Sequence, residues 1–81
     1  MNFHYVYILR SERNEEHFYI GSTDDLKARL KKHNAGGVPH TSRFGPWKIK
    51  TAVAFTCPDK ASAFERYLKT SSGRAFAKKR L

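Results

Sequence analysis

The stretch Tyr5–Gly21 constrains the fold of this chain more than any other. It reads YVYILRSERNEEHFYIG, two short apolar segments on either side of a polar one. Apolar and β-favouring residues flanking a polar turn predict a β-hairpin, with strands over residues 3–10 and 17–22. Tyr7 lies near the centre of the first strand and Tyr19 near the centre of the second. The two phenols are therefore candidates to face one site.

The pairing register of this hairpin decides whether the two tyrosines lie together. Successive side chains of a strand point to opposite faces, so a slip of one residue moves every side chain to the other face. We expect a register centred on Arg13, inside the polar turn, which makes Tyr7 and Tyr19 opposed or diagonal neighbours on one face. An odd register would separate them, and the site would not exist.

The segment after the hairpin predicts a helix that ends near Asn34. We expect Ser22 or Thr23 to cap it, with the two following aspartates in its first turn, where the helix dipole favours anions. A Gly-Gly pair ends it. Arg29 and His33 are one turn apart and project together beside the apolar stripe, a position suited to partly buried functional groups.

The second half of the chain predicts a third strand and two helices. The stretch 47–55 alternates, so we expect its four large apolar residues to share one face. A helix opens at Pro58, and the segment 71–73 breaks it before a last short helix over 74–81. Eighty-one residues allow one core. The order ββαβαα predicts one small α+β domain, residues 1–81, with an antiparallel sheet.

The charge of the chain points to a polyanionic partner. Sixteen Lys and Arg against seven Asp and Glu give a net charge of +9, whereas solubility alone needs about 2–8. Nucleic acid is the first candidate, and an anionic membrane surface is the second. No apolar run approaches the ~20 residues of a membrane helix, and no signal peptide is recognisable. The single cysteine excludes an internal disulfide. We expect a cytoplasmic monomer with no membrane or disulfide partner.

Several residues of this chain can act together in phosphodiester hydrolysis. Arg29 supplies a forked, permanently charged head for the non-bridging phosphate oxygens. Glu65, on the rim of an apolar helix face, is a candidate ligand for Mg²⁺, which takes one or two carboxylates and completes its shell with water and phosphate oxygens. A tyrosine becomes a general base only if a metal or nearby cations lower its pKa, and Arg29 and His33 are candidates for that role.

Each of these residues also has a purely structural interpretation. A strand tyrosine usually packs, Arg29 can pair with Asp25, and His33 can favour the C-terminal end of its helix through the dipole. Glu65 can be a solvated acid or can pair with Lys69 one turn later. Spacing alone does not rank a nuclease above a non-catalytic nucleic-acid-binding module.

Four segments of the chain resemble the GIY-YIG endonuclease family. They are the paired half-motifs YVY and YIG and the helices STDDLKARLKKHN and ASAFERYLK, at 5–7, 19–21, 22–34 and 61–69. The family's helix arginine then corresponds to Arg29, and its metal-binding glutamate to Glu65. The tail SSGRAFAKKRL is similar to that of small stand-alone bacterial members, so the resemblance covers nearly the whole chain.

The resemblance implies a metal-dependent endonuclease built on a three-stranded antiparallel sheet flanked by helices. Its implied cofactor is Mg²⁺ (or Mn²⁺), and its implied substrate is DNA ahead of RNA, single-stranded, duplex or branched. Tyr7 and Tyr19 are carried over as a pair that handles the proton, and His33 supports a tyrosine. Further contacts to the strand are expected from the loop and the tail, through His40, Arg43, Phe44, Lys69, Arg74 and Lys78. Phe44 is the candidate to stack on unpaired bases, as is Trp47 unless it belongs to the core.

The chain departs from the family pattern at two points. Tyr5 stands where the family name has its first glycine. The chain also has no asparagine after Asn34, so the role of the family's late asparagine is vacant or passes to Ser72 or Arg74. The first departure concerns close backbone packing and supplies no chemistry, whereas the second concerns the activity more than the fold.

Overall fold

The sheet has three antiparallel strands in the order β2–β1–β3. A computed structural model describes residues 2–81 of the chain. Its strands β1, β2 and β3 span His4–Ser11, Phe18–Thr23 and Trp47–Phe55. Its helices α1, α2 and α3 span Leu26–Asn34, Pro58–Leu68 and Ser71–Arg80. The predicted α+β fold is confirmed. None of these three helices is long and apolar enough to cross a membrane.

The central strand β1 contributes to two separate cores, one on each face of the sheet. The core under α2 and α3 is formed by Val6, Ile8, Ala61, Leu68 and Ala77. The core under α1 contains Tyr7, Leu9 and Trp47, covered by the half-buried Leu26 and Leu30. Full burial of one such aliphatic side chain contributes about 1.5–3 kcal/mol. Tyr7 therefore faces α1, whereas α2 packs on the opposite face.

The hairpin keeps the two tyrosines on one face. Tyr7 pairs with Gly21, and Leu9, two positions later, pairs with Tyr19. The hairpin is thus centred on Asn14, one residue beyond the expected Arg13. The parity is even, as predicted, so Tyr7 and Tyr19 are diagonal neighbours.

Side-chain hydrogen bonds explain why the turn is centred on Asn14. Ser11 Oγ accepts from the backbone N–H groups of Arg13 and Asn14, at 3.2 and 3.1 Å. Asn14 Oδ1 accepts from the N–H of Glu16 at 3.0 Å. These bonds satisfy backbone donors within the turn that the strand ladder does not reach. The turn itself therefore holds the register on which the site depends.

A β-bulge in β3 contradicts one prediction. The pairing of β3 with β1 shifts register between Ile49 and Thr51, so Lys50 is the extra residue. Because one added residue exchanges the faces of the strand, Trp47 lies in the α1-side core and Phe55 packs against the opposite one. The prediction that the large apolar residues of this strand share a face was wrong. A period-two pattern does not reveal where a strand gains a residue.

The start of α1 also differs from the prediction. Asp25 is the N-cap, and its carboxylate accepts from the N–H of Ala28 at 3.0 Å. Ser22 and Thr23 are used in the ladder of β2 instead, where both pair with β1. Asp25 is therefore a cap and not the first-turn partner of Arg29. Sheet pairing takes precedence here over capping propensity.

The segment 71–73 begins a helix, where a break was predicted. Thr70 caps α3, and its hydroxyl accepts from the N–H of Gly73 at 3.1 Å. A side chain at Gly73 would collide with the carbonyl oxygen of Tyr67 at the end of α2. Glycine is therefore needed here because the two helices approach closely, and its flexibility is not used to end a helix.

Gly73→Ala is expected to lower the free energy of unfolding by about 3 kcal/mol, the upper end of the range for overpacking. The obstacle is backbone, so no side-chain rotation relieves it. Gly45→Ala is the matched control, because its methyl group would meet Trp47 Cδ1 at 3.6 Å, an ordinary contact. Thermal unfolding followed by circular dichroism compares the two, with a drop in Tm of about 12 °C or more for Gly73→Ala. Equal Tm values for both variants would contradict the close approach of α2 and α3.

Candidate active site

Tyr7 is the buried centre of the candidate site. Only 1% of the residue is exposed, and its hydroxyl is 2.9 Å from Nε2 of His33 and accepts from Nε of Arg29 at 3.3 Å. Gly21 makes room for the ring, since a Cβ at that position would lie 2.6 Å from the Tyr7 hydroxyl oxygen. The structure therefore brings Tyr7, Arg29 and His33 together, and the glycine of the YIG motif permits it.

A chain of hydrogen bonds through His33 is consistent with the tautomer in which Nδ1 carries the proton. Nδ1 of His33 is 2.8 Å from Oγ1 of Thr41, which donates its own proton to the carbonyl of Val38 at 3.2 Å. Nδ1 is therefore the donor, and Nε2 accepts from the Tyr7 hydroxyl. The carbonyl of Thr41 in turn accepts from Nε1 of Trp47 at 2.8 Å. Thr41 was not predicted from the sequence because it lies in a loop without any periodic pattern.

Both Tyr7 and His33 are neutral near pH 7. Burial raises the pKa of Tyr7 above its ordinary 10.0, and the hydrogen bond and charge of Arg29 offset only part of this. Burial also lowers the pKa of His33 below 6.5, and the charges of Arg29 and Lys32 lower it further. The expectation that Arg29 and His33 lower the pKa of a tyrosine is therefore not met for Tyr7. Desolvation outweighs Arg29, and His33 is an acceptor and not a cation.

Tyr19 forms the accessible wall of the site. Its ring centroid is 6.3 Å from that of Tyr7 and 4.8 Å from that of His33. The residue is half-buried, and it lines a groove of about 1180 Å³. Tyr7 is therefore the more buried phenol of the pair, and Tyr19 is the more accessible one.

Glu65 reaches the site from the other side of the edge strand β2. It lies on α2, which packs on the face opposite Tyr7, and it interacts with Ser22, the residue after Gly21. Its negative charge contributes to the raised pKa of Tyr7, so the two groups interact electrostatically. Lys69 Nζ lies 2.9 Å from its carboxylate. The structure thus brings Tyr7, Arg29 and His33 together on one side of β2, and it places Glu65 on the other side.

The carboxylate of Glu65 is suited to a hard divalent metal. Burial would raise its pKa, but contacts with Ser22 and Lys69 and the charge of Arg66 bring the pKa below 4.5. The side chain is 22% exposed, so an ionised oxygen is accessible. No cluster of three or more His, Cys, Asp or Glu that can hold a metal occurs within residues 2–81. A metal here would take one protein carboxylate and complete its shell from water and phosphate, which Mg²⁺ accepts.

Four of the six residues predicted to contact nucleic acid lie around one groove of about 1180 Å³. All four are exposed, and they are His40, Lys69, Arg74 and Lys78. Arg43 is also exposed, but it does not line this groove. The loop after α1 and the last helix therefore contribute to one continuous surface.

The predicted stacking residues are used inside the protein. Phe44 is half-buried, and its ring stacks on His17 with centroids 3.9 Å apart and planes at 17°. Trp47 is 4% exposed and belongs to the core, the alternative that sequence analysis had allowed for it. The strongly exposed aromatic ring beside the groove is Phe18, at 51%. Sequence analysis had assigned Phe18 only to a strand.

An antiparallel three-stranded sheet with tyrosines, an arginine and a carboxylate at one strand edge defines a nuclease-like domain. Residues 3–80 match the family model for the GIY-YIG catalytic domain. The chain therefore belongs to the GIY-YIG family, as the motifs indicated.

Similar proteins include structure-specific endonuclease subunits and a bacterial protein. The chain is 43% identical over 70 residues to the structure-specific endonuclease subunit SLX1 of Scheffersomyces stipitis, and 39% identical over 69 residues to slx1 of Schizosaccharomyces pombe. Both alignments cover 79% of this chain but only 20% and 25% of the relatives, so this chain spans a quarter or less of their length. The UPF0213 protein BH0048 of Halalkalibacterium halodurans is 38% identical over 72 residues, covering 88% of this chain and 74% of that protein.

A solved structure supports the fold. The solution NMR structure of the UPF0213 protein BH0048 from Bacillus halodurans is similar with a TM-score of 0.56 and 34% sequence identity. The match covers 94% of this chain and 80% of the other. The three-stranded α+β architecture is thus shared along nearly the whole chain.

Proposed function

We propose that this protein is an endonuclease that hydrolyses phosphodiester bonds in DNA with the help of Mg²⁺ or Mn²⁺. The observation that carries the proposal is the hydrogen-bonded cluster of Tyr7, Arg29 and His33. The Glu65 carboxylate lies across β2, near enough to raise the pKa of Tyr7. The family assignment and the relatives named as structure-specific endonuclease subunits support it. A net charge of +9 suits a polyanionic substrate. Single-stranded or branched DNA is the proposed substrate class.

Tyr7 and His33 form a proton relay in this mechanism. The Tyr7 hydroxyl donates to neutral Nε2 of His33, so the phenol oxygen takes a proton from the attacking water as its own proton passes to the imidazole. A tyrosine with a raised pKa can act in this way because no free phenolate has to accumulate. Thr41 accepts from Nδ1 throughout and steadies the imidazolium that forms.

Arg29 and Glu65 act on the charge of the phosphate. Nε of Arg29 holds the Tyr7 hydroxyl, and the fork of terminal nitrogens is left to bind non-bridging oxygens. Glu65 would hold the metal through its ionised carboxylate, oriented by Ser22 and Lys69. A Mg²⁺ ion held by this carboxylate would supply Lewis acidity at the phosphate.

A second candidate function is a non-catalytic DNA-binding module of the same fold. One observation favours it: Lys69 already pairs with the Glu65 carboxylate at 2.9 Å, at the position proposed for the metal. Such a module would bind DNA equally well with Mg²⁺ and with EDTA. It would cut no strand.

The test of the proposed function is cleavage of end-labelled single-stranded, duplex and branched DNA. We expect cutting with Mg²⁺ or Mn²⁺ and none with EDTA. Arg29→Ala is expected to slow cutting about 10- to 150-fold, the value of a lost charge-assisted hydrogen bond. Lys27→Ala, which removes an exposed cation from the same helix, should cut at the wild-type rate.

Three outcomes count against the proposal. Undiminished cutting by Arg29→Ala would remove Arg29 from the mechanism, and cutting in EDTA would remove the metal. If the protein bound DNA but did not cut it with any metal tested, it would be a non-catalytic DNA-binding module instead.

A further inference from the structure

The large groove borders the candidate site at Tyr19 and at Lys69. Tyr19 lines it and packs against Tyr7 and His33. Lys69 also lines it and contacts the carboxylate of Glu65 at 2.9 Å. A ligand in the groove therefore lies beside the metal side of the site through Lys69, and Tyr19 is where the groove borders the proton-transfer side. Its volume of about 1180 Å³ exceeds the ~300–1,000 Å³ of pockets for small ligands, which favours an extended ligand.

Cationic side chains dominate the rim of the groove. They come from β3, from the end of α2 and from α3, as Lys50, Lys69, Arg74 and Lys78. Two histidines, His17 and His40, and two acids, Glu15 and Glu16, complete the polar lining. Lys50 is the extra residue of the bulge in β3. The rim therefore complements a chain of phosphates.

The groove contains an exposed aromatic ring on an apolar floor. Phe18 is 51% exposed and lines the groove together with Ile20 and Ile8. Its cross-strand partner is Arg10, whose buried Nε has no hydrogen-bond partner within residues 2–81. An uncovered aromatic ring surrounded by cations is the combination with which proteins bind unpaired strands, stacking on bases while neutralising phosphates.

We propose that this groove binds one unpaired DNA strand and delivers it to the candidate site, with Phe18 stacking on a base. Arg74 and Lys78 contact the phosphates of that strand. The inference rests on the proposed function, since it names the form of DNA that the site receives. Only an unpaired base presents its face to Phe18, because the bases of a duplex are stacked on one another. The groove therefore selects single-stranded segments, whether free or at a branch.

The test compares Phe18→Leu with Phe76→Leu in DNA binding. Phe76 is 38% exposed on α3 and does not line the groove, so its replacement is a matched control. Fluorescence anisotropy of a labelled oligo-dT strand, measured in EDTA, reports binding without cleavage. Phe18→Leu is expected to weaken this binding about 5- to 150-fold, the range for one lost base stack. Phe76→Leu should bind as the wild type does, and Phe18→Trp should bind at least as tightly.

An abasic strand of the same length separates stacking from charge. Wild type and Phe18→Leu should bind it with equal affinity, because it offers phosphates without bases. Arg74→Ala and Lys78→Ala should weaken binding to both strands and reduce the dependence of log K on log salt by about 0.7 each. An equal loss on abasic and dT strands for Phe18→Leu would overturn the stacking role.

The outcomes keep this inference apart from the proposed catalysis. If the protein cuts DNA but Phe18→Leu binds oligo-dT as tightly as the wild type, the groove assignment is overturned and the nuclease stands. If binding depends on Phe18 but no metal supports cutting, the groove stands and the nuclease does not. Equal weakening on duplex and single-stranded DNA would also overturn the proposed selection of unpaired strands.

Discussion

Replacing Tyr7 by phenylalanine is expected to lower the rate of DNA cleavage by about 10²- to 10⁴-fold, the contribution of a positioned proton acceptor. The hydroxyl is the link between the attacking water and Nε2 of His33, 2.9 Å away. Without the hydroxyl, the imidazole of His33 cannot accept the proton of the water, because the phenyl ring lies between them. Rates of cleavage of a labelled strand in Mg²⁺ measure the loss.

The control for this variant is Tyr5→Phe, a tyrosine of the same strand whose hydroxyl the site does not use. It should cut at the wild-type rate. Tyr7→Phe also leaves Nε2 of His33 and Nε of Arg29 without their shared partner, which is expected to destabilise the fold by about 1–3 kcal/mol. Rates are therefore compared well below the Tm of the variant. Wild-type cutting by a folded Tyr7→Phe would contradict the relay.

The pH dependence of cleavage gives a second readout of the relay. His33 accepts a proton only when it is neutral, and burial and the nearby cations hold its pKa below 6.5. The wild-type rate should therefore rise with pH below 6.5 and level off above it. The residual rate of Tyr7→Phe should lack this rise. A wild-type rate that falls as pH increases through this window would contradict the role of His33 as acceptor.

Replacing Glu65 by glutamine is expected to lower the rate of metal-dependent cleavage by about 10³-fold or more. The reason is that a bound metal would stabilise the charge of the transition state by several kcal/mol. Glutamine keeps the size of the side chain and its place beside Ser22 and Lys69, but it removes the negative charge that the metal requires. DNA binding in EDTA should be retained or slightly tighter, because one anion facing the substrate is lost.

The matched control for Glu65→Gln is Asp59→Asn, which neutralises an exposed acid in the first turn of the same helix. It should leave cleavage unchanged over a titration of Mg²⁺. The decisive comparison is cleavage at saturating metal together with binding in EDTA. If Glu65→Gln cut as fast as the wild type, the metal would have to be held elsewhere.

Much of the candidate site was predictable because its residues belong to regular elements. Arg29 and His33 share a helix face through the period of the helix, and Tyr7 and Tyr19 share a strand face through the even register. Gly21 was visible as part of the YIG motif, but the reason for a glycine at this position was not. Only the structure shows that the ring of Tyr7 occupies the space that a side chain at Gly21 would need.

Other features depended on contacts between distant segments. Thr41 orients His33 from a loop, and the bulge at Lys50 sends Trp47 and Phe55 to opposite faces. Phe44 was expected to meet bases, yet it stacks on His17 within the protein. The periodicity of a single segment predicts none of these features, because each depends on contacts between segments that are far apart in the sequence.

The amino-acid sequence by itself determined the order of the elements, the hairpin parity and the family, since periodicity, turn residues and motif spacing are local properties. Only the tertiary structure decided that Glu65 approaches β2 from the face opposite Tyr7. It also decided the protonation of the site, because burial controls the pKa values of Tyr7 and His33 and burial follows from packing. Local sequence patterns therefore identify the residues of the site, whereas burial determines the protonation states of Tyr7 and His33.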